Sequence, residues 1–433
     1  MVNPIRLRWF FILLGSTLFY TSLQAETESS ADAAYGTFHI SSRFRYENVD
    51  DDRLSPAAQR LKDANASTLR TSLGYQSPET YGFDLRVDLE HVMSLDNNNF
   101  NDGSNGLTDL ATVVDPSGLE LDQAFLRYQH KSNTEIKLGR QYLTYRDAPL
   151  HRFMGTVLWR QNWQTQDAIA ITNKTLDDMT ISYAYVWNVN RIFGHDAPEP
   201  LSNFDSNSHL VNLQYSGLAA GKLEAYAYLL DLNNAAAFST QTYGLRFDGK
   251  YRVSDTLSAL YVGEYAHQSD YADNPASIST DYFLAELGAN IKVNKTIDNL
   301  TLKIAYEKMA GEGGANRFVT ILGTNHAFQG WADRFLVTPG DGIEDLIVTA
   351  LVKLWGATFV AAYHQLGSDN MSYDYGNELD LMLSKKYGKH YTFGLKYSVY
   401  DADRNPLNVI RNGSNSGVAN NVNKVWVWAQ LNF

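Results

Sequence analysis

The stretch KVWVWAQLNF, residues 424–433, puts Val425, Val427, Ala429, Leu431 and Phe433 on one side of an extended chain. Lys424, Gln430 and Asn432 fall on the other side, with Trp426 and Trp428. Side chains alternate across a β-strand, so this is a strand with one apolar face and one mixed face. The same period of two recurs upstream. Phe83, Leu85, Val87 and Leu89 alternate with Asp84, Arg86, Asp88 and Glu90. Phe38, Ile40, Phe44 and Tyr46 alternate with His39, Ser41, Arg43 and Arg45. No long helical period interrupts the pattern. A soluble sandwich also shows a polar strand face to water, so alternation alone leaves two fold classes open.

The links between strands separate those classes. A long polar link at 49–65 is followed by a short turn at Ser77, Pro78 and Glu79. An Asn-rich link at 96–118 precedes the turn at Lys131, Ser132 and Asn133, and long and short links keep alternating to a last long one at 402–421. Strict alternation of this kind is the signature of an all-β, transmembrane, antiparallel up-and-down β-barrel of about 18 strands in a single chain. In lipid every backbone N–H and C=O must find a partner within the protein, which strands achieve only by closing. A barrel of this size encloses water rather than a packed core. Mean hydropathy of −0.32 is compatible, since only alternate residues need be apolar. The 27 tyrosines and 8 tryptophans suit interfacial girdles.

The N-terminal residues carry Arg6 and Arg8, an apolar run over 9–20 and small residues ending at Ala25. This predicts a cleaved signal peptide over 1–25, leaving a barrel over 26–433 with long extracellular loops and short periplasmic turns in a bacterial outer membrane. A last strand ending in Phe433 resembles the assembly signal of such barrels. The resemblance implies the barrel-assembly machinery as a partner, besides outer-membrane lipid and lipopolysaccharide. The absence of cysteine excludes disulfides, thiolate catalysis and thiolate metal sites. A net charge of −12 gives no reason to expect a nucleic-acid partner, and a monomer is the expected state.

With the apolar faces toward lipid, the opposite faces bring Arg43, Arg45, Arg86, Arg127, Arg246 and Lys353 to the lumen. Acids gather instead in the long links, at Asp50, Asp51, Asp52, Asp96, Asp102, Asp109 and Asp115. The segment RQYLTYRDAPLHRFMGTVLWRQNWQTQD, residues 140–167, concentrates Arg140, Arg146, Arg152 and Arg160 with Asp167 at its end. Unpaired charges of this density are expensive in a core, so the segment is either a solvated loop or faces pore water. An Arg/Lys lining is expected of an anion-conducting pore. Balanced ion pairs that keep a wet lumen rigid are the competing reading, and the two are compatible.

The runs IKLGRQYL (136–143), RFMGTVLWRQNWQTQDA (152–168) and TNHAFQGWADRFLVTPGDGIEDL (324–346) resemble the central signature of the alginate-export porin family. The resemblance implies a passive channel for anionic polysaccharide or oligosaccharide. It carries Arg140, Arg152, Arg160, Asp167, Trp331, Asp333 and Arg334 to the pore or its edge. The loop holding His326, Trp331 and Asp333 would then serve as a gate. Guanidinium groups would hold uronate carboxylates in forked pairs. Rival readings are a general or oligosaccharide diffusion porin, a surface adhesin or receptor, and a barrel hydrolase. The hydrolase lacks a nucleophile motif such as G-x-S-x-G, so no enzyme is expected. No cofactor is expected either; Ca²⁺ in the Asp-rich loops is conceivable, but no EF-hand spacing assigns it.

Overall fold

The computed structural model describes residues 35–96, 99–148, 151–294 and 297–433, so the expected signal peptide lies outside the described residues. Strands β1 (Thr37–Asp51), β2 (Ala64–Gln76), β3 (Phe83–Ser94), β4 (Gly118–His130), β5 (Thr134–Gln141) and β6 (Thr165–Asn173) open the chain. They are followed by β7 (Met179–Asn190), β8 (Asn203–Leu218), β9 (Gly221–Leu230), β10 (Thr240–Arg252), β11 (Leu257–Asp270) and β12 (Ser279–Ile291). The last six are β13 (Ile297–Met309), β14 (Ile343–Leu354), β15 (Ala357–Gly367), β16 (Asp374–Tyr387), β17 (Tyr391–Ala402) and β18 (Val422–Asn432). Each pairs antiparallel with its neighbours in sequence, and β18 returns to β1, closing an 18-stranded barrel. Closure runs from Ser41 opposite Asn432 to Asp51 opposite Val422, extended by Ile40 N–H to Phe433 O at 2.9 Å and the reciprocal bond at 2.8 Å.

The two ends of the barrel differ. At one end the connections are short, as at 131–133, 219–220 and 355–356; at the other are the loops 95–117, 142–164, 310–342 and 403–421. One of the two-residue turns uses Trp355 and Gly356, both at positive φ (51° and 71°), the conformation that matches strand twist in a two-residue hairpin. Its Trp355 is exposed, as are Tyr81, Tyr251, Tyr387 and Phe433 at the same end, forming the aromatic girdle that the composition predicts. Outward residues such as Leu73, Leu138, Leu245, Ile304, Phe359 and Leu395 stay exposed. A closed wall with an apolar exterior is built to stand in lipid.

The buried apolar residues sit inside the barrel, toward the loop end. Phe100, Val113, Leu143, Phe153 and Met154 from inward-folded loops share one cluster with Tyr226, Tyr228 and Tyr282 of the wall, and Phe153 meets all three rings. A short helix, α1 (Pro406–Asn412), interrupts the last long loop, where no helix is expected from the alternation. Asn405 caps it by accepting from Asn408 N–H at 2.9 Å, and Pro406 follows at the first turn.

Candidate functional site: a plugged lumen beside a lowered wall

Two loops fill the lumen. Residues 142–148 leave β5 toward the lumen, and residues 151–164 lie across the barrel and return to β6. Arginines fasten this loop at intervals. Arg146 pairs with Glu224 of β9 at 2.9 Å and Glu264 of β11 at 2.6 Å. Arg152 reaches Glu307 of β13 at 3.0 Å, and Arg160 pairs with Glu47 of β1 at 3.3 Å and Asp333 at 2.9 Å. From the wall, Arg43 donates to Gln161 Oε1 at 2.8 Å and Leu158 O at 2.9 Å, while Arg45 grips Asp115 and the Trp159 carbonyl. Losing one partner of such a buried pair typically costs ~3–5 kcal/mol, because the other charge is stranded.

The chain from 310 to 342 folds in against this loop. Gly155 N–H donates to Leu322 O at 2.9 Å and Thr324 N–H to His151 O at 2.8 Å, so the two loops are joined backbone to backbone. A Cβ on Gly155 would lie 2.3 Å from Thr324 Oγ1, so only glycine permits the approach. At the centre, the Trp159 indole stacks on His326 with ring centres 4.7 Å apart and planes 2° from parallel. Trp426 and Trp428 of β18 meet Trp159 edge-on at 5.7 Å. Lys396 of β17 places its ammonium 4.1 Å above Trp159 and 3.9 Å above Trp331. Asp333 collects His326 at 2.6 Å, Arg160 and Lys424 at 3.1 Å. The Trp331 and Ala332 amides donate to Asp380 at 3.1 Å and Glu378 at 2.6 Å, and Arg334 pairs with Asp51 at 2.9 Å.

Arg43, Arg45, Arg146, Arg152, Arg160, His326, Trp331, Asp333 and Arg334 therefore come together, as one interlocked body. The remaining candidates lie apart from it. Arg86 binds Asp88 at 2.9 Å and Arg127 binds Asp84 at 2.6 Å, both half-open to the turn-end vestibule. Arg246 pairs with Glu264 at 2.8 Å, next to Arg146. Lys353 stands near the turn end of β14, opposite Asn299 and Thr358. Arg140 and Asp167 pair with each other at 2.7 Å, and the register places both on the outer side of the wall, above Leu138 and Ile169.

That pair marks a step in the rim. β4 pairs with β5 only from Ala124 onward, so its residues 118–123 have a partner on the β3 side alone. β5 ends early because the chain dives inward at 142. A cavity of about 170 Å³ occupies the step. Arg140, Thr165, Asn188 and Asn190 border it from outer-face positions, Glu120 and Asp122 from β4, and Asn162 and Trp163 from the plug. Arg191 closes it from the loop 191–202, stacked 4.2 Å above Phe204. Among the described residues no carboxylate lies within ion-pair distance of Arg191; its Nη1 donates to Pro200 O at 2.8 Å. Burial pulls its pKa down to about 10, which leaves it charged at neutral pH. Arg191, Asn188 and Asn190 are missed by the sequence reading, although amides at alternate positions approaching a long link are a usable signal.

No family model and no curated protein matches the chain. Solved structures do. Acinetobacter baumannii OccAB2 is 15% identical with a TM-score of 0.68, over 92% of this chain and 98% of that one. Pseudomonas aeruginosa OccD3 (OpdP) is 16% identical with a TM-score of 0.62, over 92% and 91%. Pseudomonas aeruginosa OpdK, solved with vanillate, is 12% identical with a TM-score of 0.65, over 92% and 98%. The likeness is one of fold. The chain has the 18-strand barrel fold of bacterial outer-membrane porins. The likeness also corrects the resemblance drawn from 136–143, 152–168 and 324–346: the neighbours are Occ and Opd substrate-specific porins, not alginate-export proteins. In this chain the arginines and tryptophans of those runs pin the inward loops to each other and to the wall.

Proposed function

We propose that the protein is a passive outer-membrane channel for small polar solutes, with the long loops outside the cell and the short turns in the periplasm. The observation that carries this reading is the double plug: the loop 142–164 crosses the lumen tied to opposite walls by Arg146, Arg152 and Arg160, and the loop 310–342 folds against it and is tied to the wall by Arg334. A passage so reduced suits molecules of vanillate's size, the compound bound in one neighbour. It does not suit a polymer. Solute contact falls to charged groups still open to water, including Arg86, Arg127 and Arg191, most of them beside a carboxylate. Mixed signs at close range give weak charge selectivity, and conduction needs several weak sites. The protein would work as a monomer in lipid and lipopolysaccharide and be inserted by the barrel-assembly machinery through β18.

The test is reconstitution in planar bilayers across a salt gradient. A small unitary conductance with a reversal potential near zero is expected. Silence under all voltages would remove the channel reading and favour a surface-binding barrel.

A further inference from the structure

The cavity at the step between β4 and β7 is lined by residues from both faces of the barrel wall. Glu120 lies opposite Glu90, whose carboxylate faces the lumen and binds Arg70, so Glu120 belongs to the inner face. Asn190, opposite Thr165, belongs to the outer face, since the intervening Val189 is buried inside with Phe204. One cavity touches both. The loop 191–202 spans the gap above it. His195 skips β5 and β6 and bonds Glu120 twice, through its backbone N–H at 3.0 Å and its ring Nδ1 at 2.8 Å. Beneath it Asn162 of the plug donates to Ile192 O at 3.3 Å, so the strap rests on the plug through the opening.

We propose that this opening is a side port, through which small hydroxyl- or amide-bearing solutes enter the lumen from the flank of the barrel, under the strap 191–202. The proposal rests on the channel reading. Its chemistry follows from the lining: Arg140 is neutralised by Asp167 and Glu120 is held by His195, leaving Asn162, Thr165, Asn188 and Asn190, with the Arg191 guanidinium at the edge, as the groups a solute meets. Amides both donate and accept, which matches hydroxyls without demanding charge.

The chain has no cysteine, so single thiols can be placed without background. Asn190→Cys stands in the port; Asp205→Cys stands on the same outer face one strand away, beyond it. Each variant is reconstituted, treated with a bulky thiol reagent, checked by mass, and assayed for glucose flux into vesicles. Blocking the port by modification of Asn190→Cys is expected to slow flux roughly twofold or more, whereas modified Asp205→Cys keeps the wild-type rate. Thr165→Cys repeats the test if Asn190→Cys fails to fold. Full flux through modified Asn190→Cys and Thr165→Cys, in a protein that conducts, overturns the port alone. Absence of flux in the wild type overturns the channel reading and the port with it.

Discussion

The plug and the side wall treat charge in opposite ways. In and around the plug, cations are sealed: Arg45 and Arg70 of the wall and Arg152 of the plug are among the largest fully buried side chains, each against a carboxylate. At the lowered wall, the strap hangs on His195, whose side chain is 62% exposed, and Arg191 has no carboxylate at ion-pair distance among the described residues. Buried pairs fix geometry because breaking one strands a charge; exposed pairs contribute about 0–1 kcal/mol and open readily. The barrel thus keeps its obstruction rigid and its flank adjustable.

The comparison breaks most severely at Arg160. Arg160→Glu sets a third carboxylate beside Glu47 and Asp333, which repulsion should expel together with the loop. Unitary conductance is expected to rise severalfold, and urea unfolding in lipid vesicles to show a loss of at least ~3 kcal/mol. An unaltered conductance would mean that the loop is held by packing alone. Next in size is Trp159→Ala, which removes the stack on His326 and one face of the Lys396 site. Truncating a buried tryptophan costs about 3–5 kcal/mol, read in the same unfolding assay, with noisier open-channel current.

The smallest effect belongs to the strap. Glu120, and then Asp196, raise the His195 pKa above its ordinary 6.5. The charged pair is therefore complete below that ordinary value and lost as pH rises through the raised one. A spin label at Ala197→Cys is expected to become more mobile on going from acid to mildly alkaline buffer. In Glu120→Gln it should be mobile throughout. Equal mobility at both pH extremes in the otherwise unmodified strap would remove His195 as the latch.

Much of this architecture was legible before any coordinates. The alternation at 83–90 and the long–short rhythm of links predict the closed 18-strand barrel, because the pleat and the membrane both impose period-two rules. The mixed face at 424–433 reads correctly too: Trp426 is fully buried in the lumen and Val427 exposed. The arginine-rich segment 140–167 was legible as unusual, but its partners were not. Arg160 and Asp333 lie 173 residues apart, and no local pattern relates them. The bulges at Asp88/Leu89, Asp167/Ala168 and Val186/Asn188 likewise leave no periodic trace, yet two of them shape the wall near the port. The family was misread for the same reason, since short charged and aromatic runs report a loop's need for anchors rather than its ancestry.

The most direct measurement of the plugged-lumen account is solute exclusion. Polyethylene glycols of graded size are added to bilayers holding the wild type or a variant with residues 152–162 replaced by a short Gly-Ser linker. In the wild type only the smallest polymers should lower the conductance, and in the variant much larger ones should enter. If the wild type admits the same large polymers as the variant, the loops do not constrict the pore and the account fails.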